Sequence, residues 1–532
     1  MTAKTDLGPV AGRYNKLAAD RQPFLDRARD MAKLTIPSLY PPDGFSTSAK
    51  LVVPFQNLGA RGVNNIANKL HLTLLPPNTP FFRYQPDANA KRQALENAGP
   101  DGKKVLTDIE KALAEIEKDI QSEIEAARFR PHLFEGIRQL IVGGNTLLYL
   151  PKDGAARVFN LANFVVCRDG SDKVYEIIVH EKIAKDALPE SIAEKLTSAP
   201  PQGKQDEDID VYTHIMRAPG SKRFDVRQEL KGGIELEGSR GSYPNEDALP
   251  WFALRLTRVD GESYGRSYVE EYQGDLQSLE GLTAALVEGS AIMSKVVFLL
   301  KPNATLKPRP LAEAENGAVL SGDREDVDVL QVEKYADFKV VLETIMKIEQ
   351  RLEFAFLLNT AVQRDAERVT AEEIRYMAQE LEGALGGVYS LLSQEFQLKL
   401  IRLFSGRMSS SGKVPKLTEQ QAKPVIITGI EALGRGNDLN KLRGFVEDLV
   451  KMATADPSLV QRIRKDDLVK RLAMGHGLQD ADTLIIDDEE FQAQQQAQQQ
   501  AAMMQNVVGG AVPQLAKSLT EGTMTNAQNP TE

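Results

Sequence analysis

Residues 267–298, SYVEEYQGDLQSLEGLTAALVEGSAIMSKVVF, decide how the rest of the chain is read. Apolar side chains recur at Val269, Tyr272, Leu276, Leu279, Leu282, Leu286, Met293 and Val296. Those steps of three, four and seven lay one stripe along a helix. At ~1.5 Å per residue, the span from Ser267 to Leu299 is on the order of 50 Å, long for a globular helix. Gly274, Gly281 and Gly289 fall roughly on one face, each costing about 1 kcal/mol against alanine. They mark either the close approach of a second helix or a place for bending.

Working outward, a second stripe runs through Phe338, Val341, Leu342, Ile345, Ile348, Leu352 and Phe356, after a segment with strand-like runs. A third helix opens at Thr370-Ala371-Glu372-Glu373, a capping box in which Thr370 and Glu373 serve each other's amides. Its stripe is Ile374, Met377, Leu381, Leu385, Val388, Leu392 and Phe396. Rods of this length suit a larger assembly better than a compact enzyme core.

The flanks divide by period. Arg13 to Leu34 reads as an amphipathic helix interrupted or restarted near Pro23, and Phe55 to Leu75 as another, closed by Pro76-Pro77. Asp101 to Phe129 carries Leu106, Ile109, Leu113, Ile116, Ile120 and Ile124 on one face, and Pro131 starts the next helix. From Thr146 the pattern turns to β. Thr146 to Leu150, Arg157 to Cys167, Val174 to His180, Asp210 to Met216, Phe224 to Leu230 and Trp251 to Val259 read as a mostly antiparallel meander. A short helix is expected around Pro189 to Leu196. After a polar break at Ser405 to Pro415 comes a helical unit from about Pro424 to Leu478, and from Asp487 a Gln- and Ala-rich tail. The fold class is α+β and mainly helical, with the sheet inserted among helices.

Composition narrows the function. The 532 residues carry 65 basic and 75 acidic side chains, net −10, the wrong sign for gripping nucleic acid by phosphate neutralisation. The lone Cys167 allows no internal disulfide, and no apolar run reaches the ~18 residues of a bilayer span. The expectation is a soluble protein made inside a cell, with no membrane partner. There is no phosphate-binding G-x-x-x-x-G-K-[ST] loop. His71, His132, His180, His214 and His476 lack zinc-type spacing, and the acid runs 206–208 and 487–490 read as solvated loops, so no metal or cofactor is assigned.

Gly261-Glu262-Ser263-Tyr264-Gly265 matches the G-x-S-x-G nucleophile elbow, between an expected strand and a helix. A serine hydrolase using Ser263 would need a downstream histidine, and His476 is the only one. The elbow also belongs on a mainly parallel sheet. The plainer reading is a glycine-rich turn that launches a helix, and the chain is not expected to be an enzyme.

Several longer segments carry a family resemblance. They are Thr35-Ile36-Pro37-Ser38-Leu39, Gly59-Ala60-Arg61-Gly62-Val63-Asn64-Asn65, Gly144 to Pro151, Asp210 to Ile215, Asp260 to Glu271, Glu367 to Tyr376, Gly386 to Ser390 and Thr428 to Gly436. In this order, over about Arg13 to Leu484, the chain resembles the portal, or head-to-tail connector, proteins of short-tailed, autographivirus-like bacteriophages. The resemblance implies a homododecameric ring at one capsid vertex of the virion, with double-stranded DNA passing through it without sequence specificity.

It also implies an organisation: a wing at 1–266, stem helices at 267–298 and 335–358, a clip at 299–334, and a tunnel loop at 359–369. A long wing helix at 370–406, a linker at 407–423, a helical crown at 424–486 and the tail at 487–532 complete it. Implied partners are the terminase large subunit, a tail adaptor, the major capsid and scaffolding proteins, and internal core proteins. Gln363, Arg364, Glu367 and Arg368 are then the loop residues expected nearest the DNA. The two stem segments together are net −5, a weakly repulsive lining past which a duplex could slide. The same charge on a plain solvated face would look no different.

Overall fold

Pro23 does not interrupt the first helix. In the computed structural model α1 runs unbroken over Pro9–Leu34, with one buried row through Val10, Tyr14, Leu17, Arg21, Leu25, Ala28 and Met31 on both sides of the proline. An interior proline costs about 3 kcal/mol. Each large apolar side chain in the row returns roughly 1.5–3 kcal/mol on burial, so packing outweighs the lost hydrogen bond.

The structure describes residues 9–46, 48–77, 80–89, 91–92, 96, 102–184, 208–293, 297–305, 307–315, 317–330, 335–358, 377, 380–381, 383–385, 387–417, 421–427, 444–449, 451 and 468. The longer helices after α1 are α2 (Leu58–Leu74), α3 (Gly102–Ala126), α4 (Arg130–Gly143), α5 (Gln273–Met293), α6 (Tyr335–Ala355) and α7 (Lys399–Ser410). The strands are β1 (Phe82–Pro86), β2 (Asn145–Tyr149), β3 (Arg157–Phe159), β4 (Phe164–Arg168), β5 (Val174–Ile183), β6 (Ile209–Arg217), β7 (Phe224–Leu230), β8 (Gly241–Tyr243), β9 (Trp251–Arg255), β10 (Val297–Leu300), β11 (Val327–Leu330) and β12 (Ala422–Ile426).

Every pairing among these strands is antiparallel. Strands β4 to β8 form a five-stranded meander in chain order, and β3-β2-β9 form a second sheet. The expected single run Arg157 to Cys167 is two strands, split by a turn at Leu161–Asn163 that the Asn160 side chain caps.

Two cores meet along α1. Its first turns (Val10, Ala11, Tyr14, Leu17) pack on Val165, Cys167, Ile178 and Tyr212 of the meander. Its second half joins the main core with α2, α4 and β2. The meander contact is pinned by Arg13, which donates to Glu176 Oε2 at 2.6 Å and 3.2 Å, while His214 Nε2 lies 3.0 Å from Glu176 Oε1. Burial pushes the Glu176 carboxyl up, but the hydrogen bonds from His214 and Arg13 and the nearby positive charge outweigh it, holding it at about 2.

Three expectations need correcting. The first long helix is stepped at Tyr272, whose amide bonds back to Val269, and ends at Met293. From Val297 the chain is a strand paired with β11, where Val297 and Phe298, residue types that favour strands, gain more from pairing than from prolonging a helix. The polar stretch from Ser405 is still helical as far as Ser410. Pro424 begins no helix: it pairs with Tyr84 in the β1–β12 ribbon, so the helical unit expected from about Pro424 opens on a strand. The expected helix at Pro189 to Leu196 and the tail from Asp487 lie outside the described residues.

The Glu176 network gives a pH-dependent outcome. Its folded carboxyl titrates below the unfolded one, so its stabilisation is present above pH ~4.5 and drains away as pH falls towards ~2. Glu176→Gln should be less stable than wild type near neutrality, with the two unfolding curves converging through that window in a denaturant series.

Candidate functional site

The geometry concentrates where α5 and α6 meet the rest of the chain. Gly144 closes α4 in the left-handed conformation (φ 74°), and a Cβ there would fall 2.6 Å from the Arg266 carbonyl carbon. The next residue, Asn145, offers its amide side chain as a piece of strand. Its Nδ2 donates to Gly265 O at 2.9 Å, and its Oδ1 accepts from Gly265 N at 2.8 Å. Ser267 then donates to Ile141 O at 3.0 Å and accepts from Glu270 N at 3.2 Å, capping the short helix Tyr268–Glu271 that leads into α5.

The returning helix is held just as closely. Phe356 is fully buried against Tyr268 and Tyr272, and the Tyr268 hydroxyl donates to Ala355 O at 2.8 Å. On the other side α2 offers a notch. A Cβ at Gly62 would fall 2.8 Å from Phe356 Cβ and collide with its ring. One turn on, Asn65 Nδ2 donates to both Phe356 O (2.9 Å) and Leu357 O (2.8 Å), and Lys69 reaches Leu357 O at 3.2 Å. These donors satisfy carbonyls left open at the end of α6. Leu357 itself takes the left-handed conformation (φ 55°) that usually calls for glycine, and the amides of Leu357 and Leu358 bond back to Phe354 and Glu353.

Beyond this foot the two helices run antiparallel. Arg351 meets Asp275 at 2.7 Å, and Gly289 leaves room for Phe338, whose Cζ lies 2.5 Å from where a Cβ would be. The Gly289 position is therefore a close approach, whereas a Cβ at Gly274 or Gly281 meets nothing within 4 Å. Burial falls along the pair: Leu276, Leu279, Leu352 and Phe356 are buried, Leu282, Leu286 and Val341 partly so, and Val287, Ile292 and Val340 exposed. Leu342, expected within the buried stripe, is exposed. The far end carries the β10–β11 hairpin, where Asp326 accepts from the Thr305 amide (2.9 Å) and hydroxyl (3.0 Å). The Thr305 amide bond, then its hydroxyl, draws the Asp326 carboxyl below its ordinary range.

A second junction joins the two sheets to the C-terminal helices. Arg255, buried on β9, pairs with Asp172 (2.6 Å) and with Glu395 (3.0 Å) on the π-helical turn Ser393–Leu398. Beside it lies a cavity of about 360 Å³ lined by Arg168, Asp172, Trp251, Glu395, Lys399 and Arg402, among others. Lys399 donates to Trp251 O at 2.7 Å, and burial pushes its ammonium down to about 8. Charges of both signs that already serve one another make this a joint between elements.

Ser263 belongs to the loop between β9 and Ser267, and its carbonyl accepts from Arg168 Nε at 3.3 Å. Tyr264 is buried, with its hydroxyl accepting from Val166 N at 3.1 Å, and Gly265 is the partner of Asn145. The sheet it leaves is antiparallel. Gly261 to Gly265 is thus an anchoring turn without the geometry of a nucleophile elbow. His476 lies outside the described residues, as do Gln363, Arg364, Glu367 and Arg368 and the capping box at Thr370. From Met377 onward the expected third stripe is buried at Met377, Leu381, Leu385, Val388, Leu392 and Phe396.

Sequence reasoning assigned no roles to Gly62, Asn65, Asn145 or Arg255. The first three lie inside segments singled out for their resemblance to a family. Nothing in the local pattern distinguishes Arg255 from a surface arginine at a strand end.

The foot, the antiparallel pair and the distal hairpin make one helical arm anchored at its base. The family described as bacteriophage head to tail connecting protein matches residues 8–484, and this chain belongs to it. It is 42% identical over 486 residues to the portal protein of Escherichia phage T7, covering 90% of this chain and 88% of that one. It is 40% identical to the portal protein of Enterobacteria phage T3, covering 97% and 96%. The portal protein of Enterobacteria phage SP6 is 31% identical, with 82% of each chain covered.

The notch gives a paired prediction. Gly62→Ala should destabilise the protein by roughly 1–3 kcal/mol through overpacking against Phe356. Gly274→Ala, in open space, should stabilise it by up to about 1 kcal/mol. Thermal unfolding of the two variants beside wild type reads both signs.

Proposed function

We propose that this chain is the portal subunit of a short-tailed phage, forming a ring of twelve copies at one capsid vertex through which double-stranded DNA enters and leaves. The end-to-end similarity to phage portal proteins, covering 88% and 96% of the two most similar relatives named above, carries this reading. In it α5 and α6 are the stem, β10, β11 and residues 301–326 the clip, and residues 359–369 the tunnel loop bearing Gln363, Arg364, Glu367 and Arg368. The elements before Ser267 form the wing, joined by the returning helix that ends in α7. The crown follows the β1–β12 ribbon.

The action is passive. A terminase large subunit docks on the clip and supplies the work of packaging, and a tail adaptor later takes the same face. Capsid, scaffolding and internal core proteins contact the wing and crown. The chemistry of the stem fits a conduit, because its net −5 gives DNA no dense row of cations to release counterions against. Apolar side chains left exposed on the stem, Val287, Ile292 and Val340 among them, fit a surface completed by other copies.

Size-exclusion chromatography with light scattering, followed by negative-stain imaging, should give a ring of about twelve chains. A protein that stays monomeric under every assembly condition overturns the reading. A fluorophosphonate probe should leave Ser263 unlabelled, and labelling there would restore the hydrolase. In a ring imaged with DNA, Arg364 and Arg368 should face the duplex; a loop turned outward removes their assignment.

A further inference from the structure

Between the first helix and α2 the chain makes an arm, Lys50-Leu51-Val52-Val53-Pro54-Phe55, in which Leu51 and Pro54 are half-buried and the other apolar side chains stand open. Val52 is 88% exposed, Val53 74% and Phe55 53%. No backbone hydrogen bond is made by Leu51, Val52 or Val53 among the described residues. Yet the end of the arm is firmly set. The Glu280 carboxylate on α5 accepts from the amides of Phe55 (2.9 Å) and Gln56 (3.2 Å). The Gln56 side chain donates to Leu34 O at 2.6 Å and accepts from Gly59 N at 2.9 Å. An apolar segment anchored at one end and left in the open offers a surface for a partner.

A second uncovered patch lies on α6. Leu342, Met346 and Phe354 occupy one i, i+4 row and are 46%, 51% and 78% exposed. The two patches stand level along the helix pair. The contacts Asp275–Arg351 and Gly289–Phe338 fix the antiparallel register, which sets Glu280, and with it the arm, opposite Met346. Their charges are also opposite. Lys50 heads the arm and Glu343 flanks the ridge, and neither has an ion-pair partner among the described residues.

We infer that the Lys50–Phe55 arm of one copy docks on the Leu342–Met346–Phe354 ridge of the next copy. This rests on the proposed ring. Rotation about a ring axis parallel to the stem preserves height, so only patches at equal height can meet. Two different patches on one chain also make the heterologous, head-to-tail contact that a closing ring requires. Hydrophobic burial supplies the affinity, and Lys50 with Glu343 sets the register.

The test is site-directed cross-linking in the assembled full-length protein. Val53→Cys with Met346→Cys, treated with a short bismaleimide, should give a covalent ladder beyond the dimer on denaturing gels. Each single-cysteine variant should give none, with the native Cys167 buried and inert. Val53→Asp and Met346→Asp should each lose at least tenfold in ring fraction by native mass spectrometry. Mixed together they should form heterodimers that stop there, since each supplies the patch the other lacks. Intact rings with no ladder, or aspartate variants that assemble as wild type, overturn the docking and leave the ring reading standing. Wild-type protein that never forms rings overturns both.

Discussion

The helix pair α5 and α6 is most deeply buried at one end, so its placement is only as good as its foot. Here the foot is Phe356 seated in the notch at Gly62, with Asn65 capping the two carbonyls beside it. The Phe356 ring fills space that a single methyl group on α2 would take, and the Asn65 amide reaches the open carbonyls one turn further along the same helix. Tyr268 and Tyr272 close the other side, so both ends of the helical hairpin share one buried aromatic cluster. A strained Leu357 is tolerated because so many neighbours fix the backbone around it.

The remaining anchors follow the same logic of one residue serving two elements. Asn145 substitutes for strand backbone and ties the turn that leads towards α5 to the helix-to-strand junction after α4. Arg255 is buried where β9, the meander and the π-helical turn converge, and it is tolerable there because two carboxylates meet it. Along α1, one continuous helix carries two different cores, which couples the meander to the helical body. The acidic, partly apolar pair α5 and α6 is the exception to this thrift, because Val287, Ile292 and Val340 on it stay exposed.

Much of this was legible in the amino-acid order. Apolar spacing marked the helices at residues 58–74, 102–126 and 335–355, and the third stripe from Met377 to Phe396, because burial of one face leaves a period that needs no partner to be read. The strands were legible as short β-prone runs, and the lack of helical crossovers correctly implied antiparallel pairing. Where the reading slipped, a distant segment had intervened. Pro424 joined a ribbon with Tyr84, and the Val297 run joined a hairpin with β11. Pro23 stayed helical because partners on both sides kept the row buried. Leu342 fitted the periodic stripe yet faces out, since periodicity assigns a side chain to a sector but not to a side of its edge.

The sequence by itself determined the inventory: which stretches are rods, which are strands, how acidic the rods are, and, through ordered family segments, which family they belong to. Those properties are local or additive, so they survive without coordinates. Only the tertiary structure decided which glycine is a notch, which asparagine imitates a strand, which arginine is buried, and which apolar side chains stay uncovered. The glycine, the asparagine and the arginine each depend on a residue more than 100 positions away arriving within a few ångströms, and spacing along the chain carries no record of that.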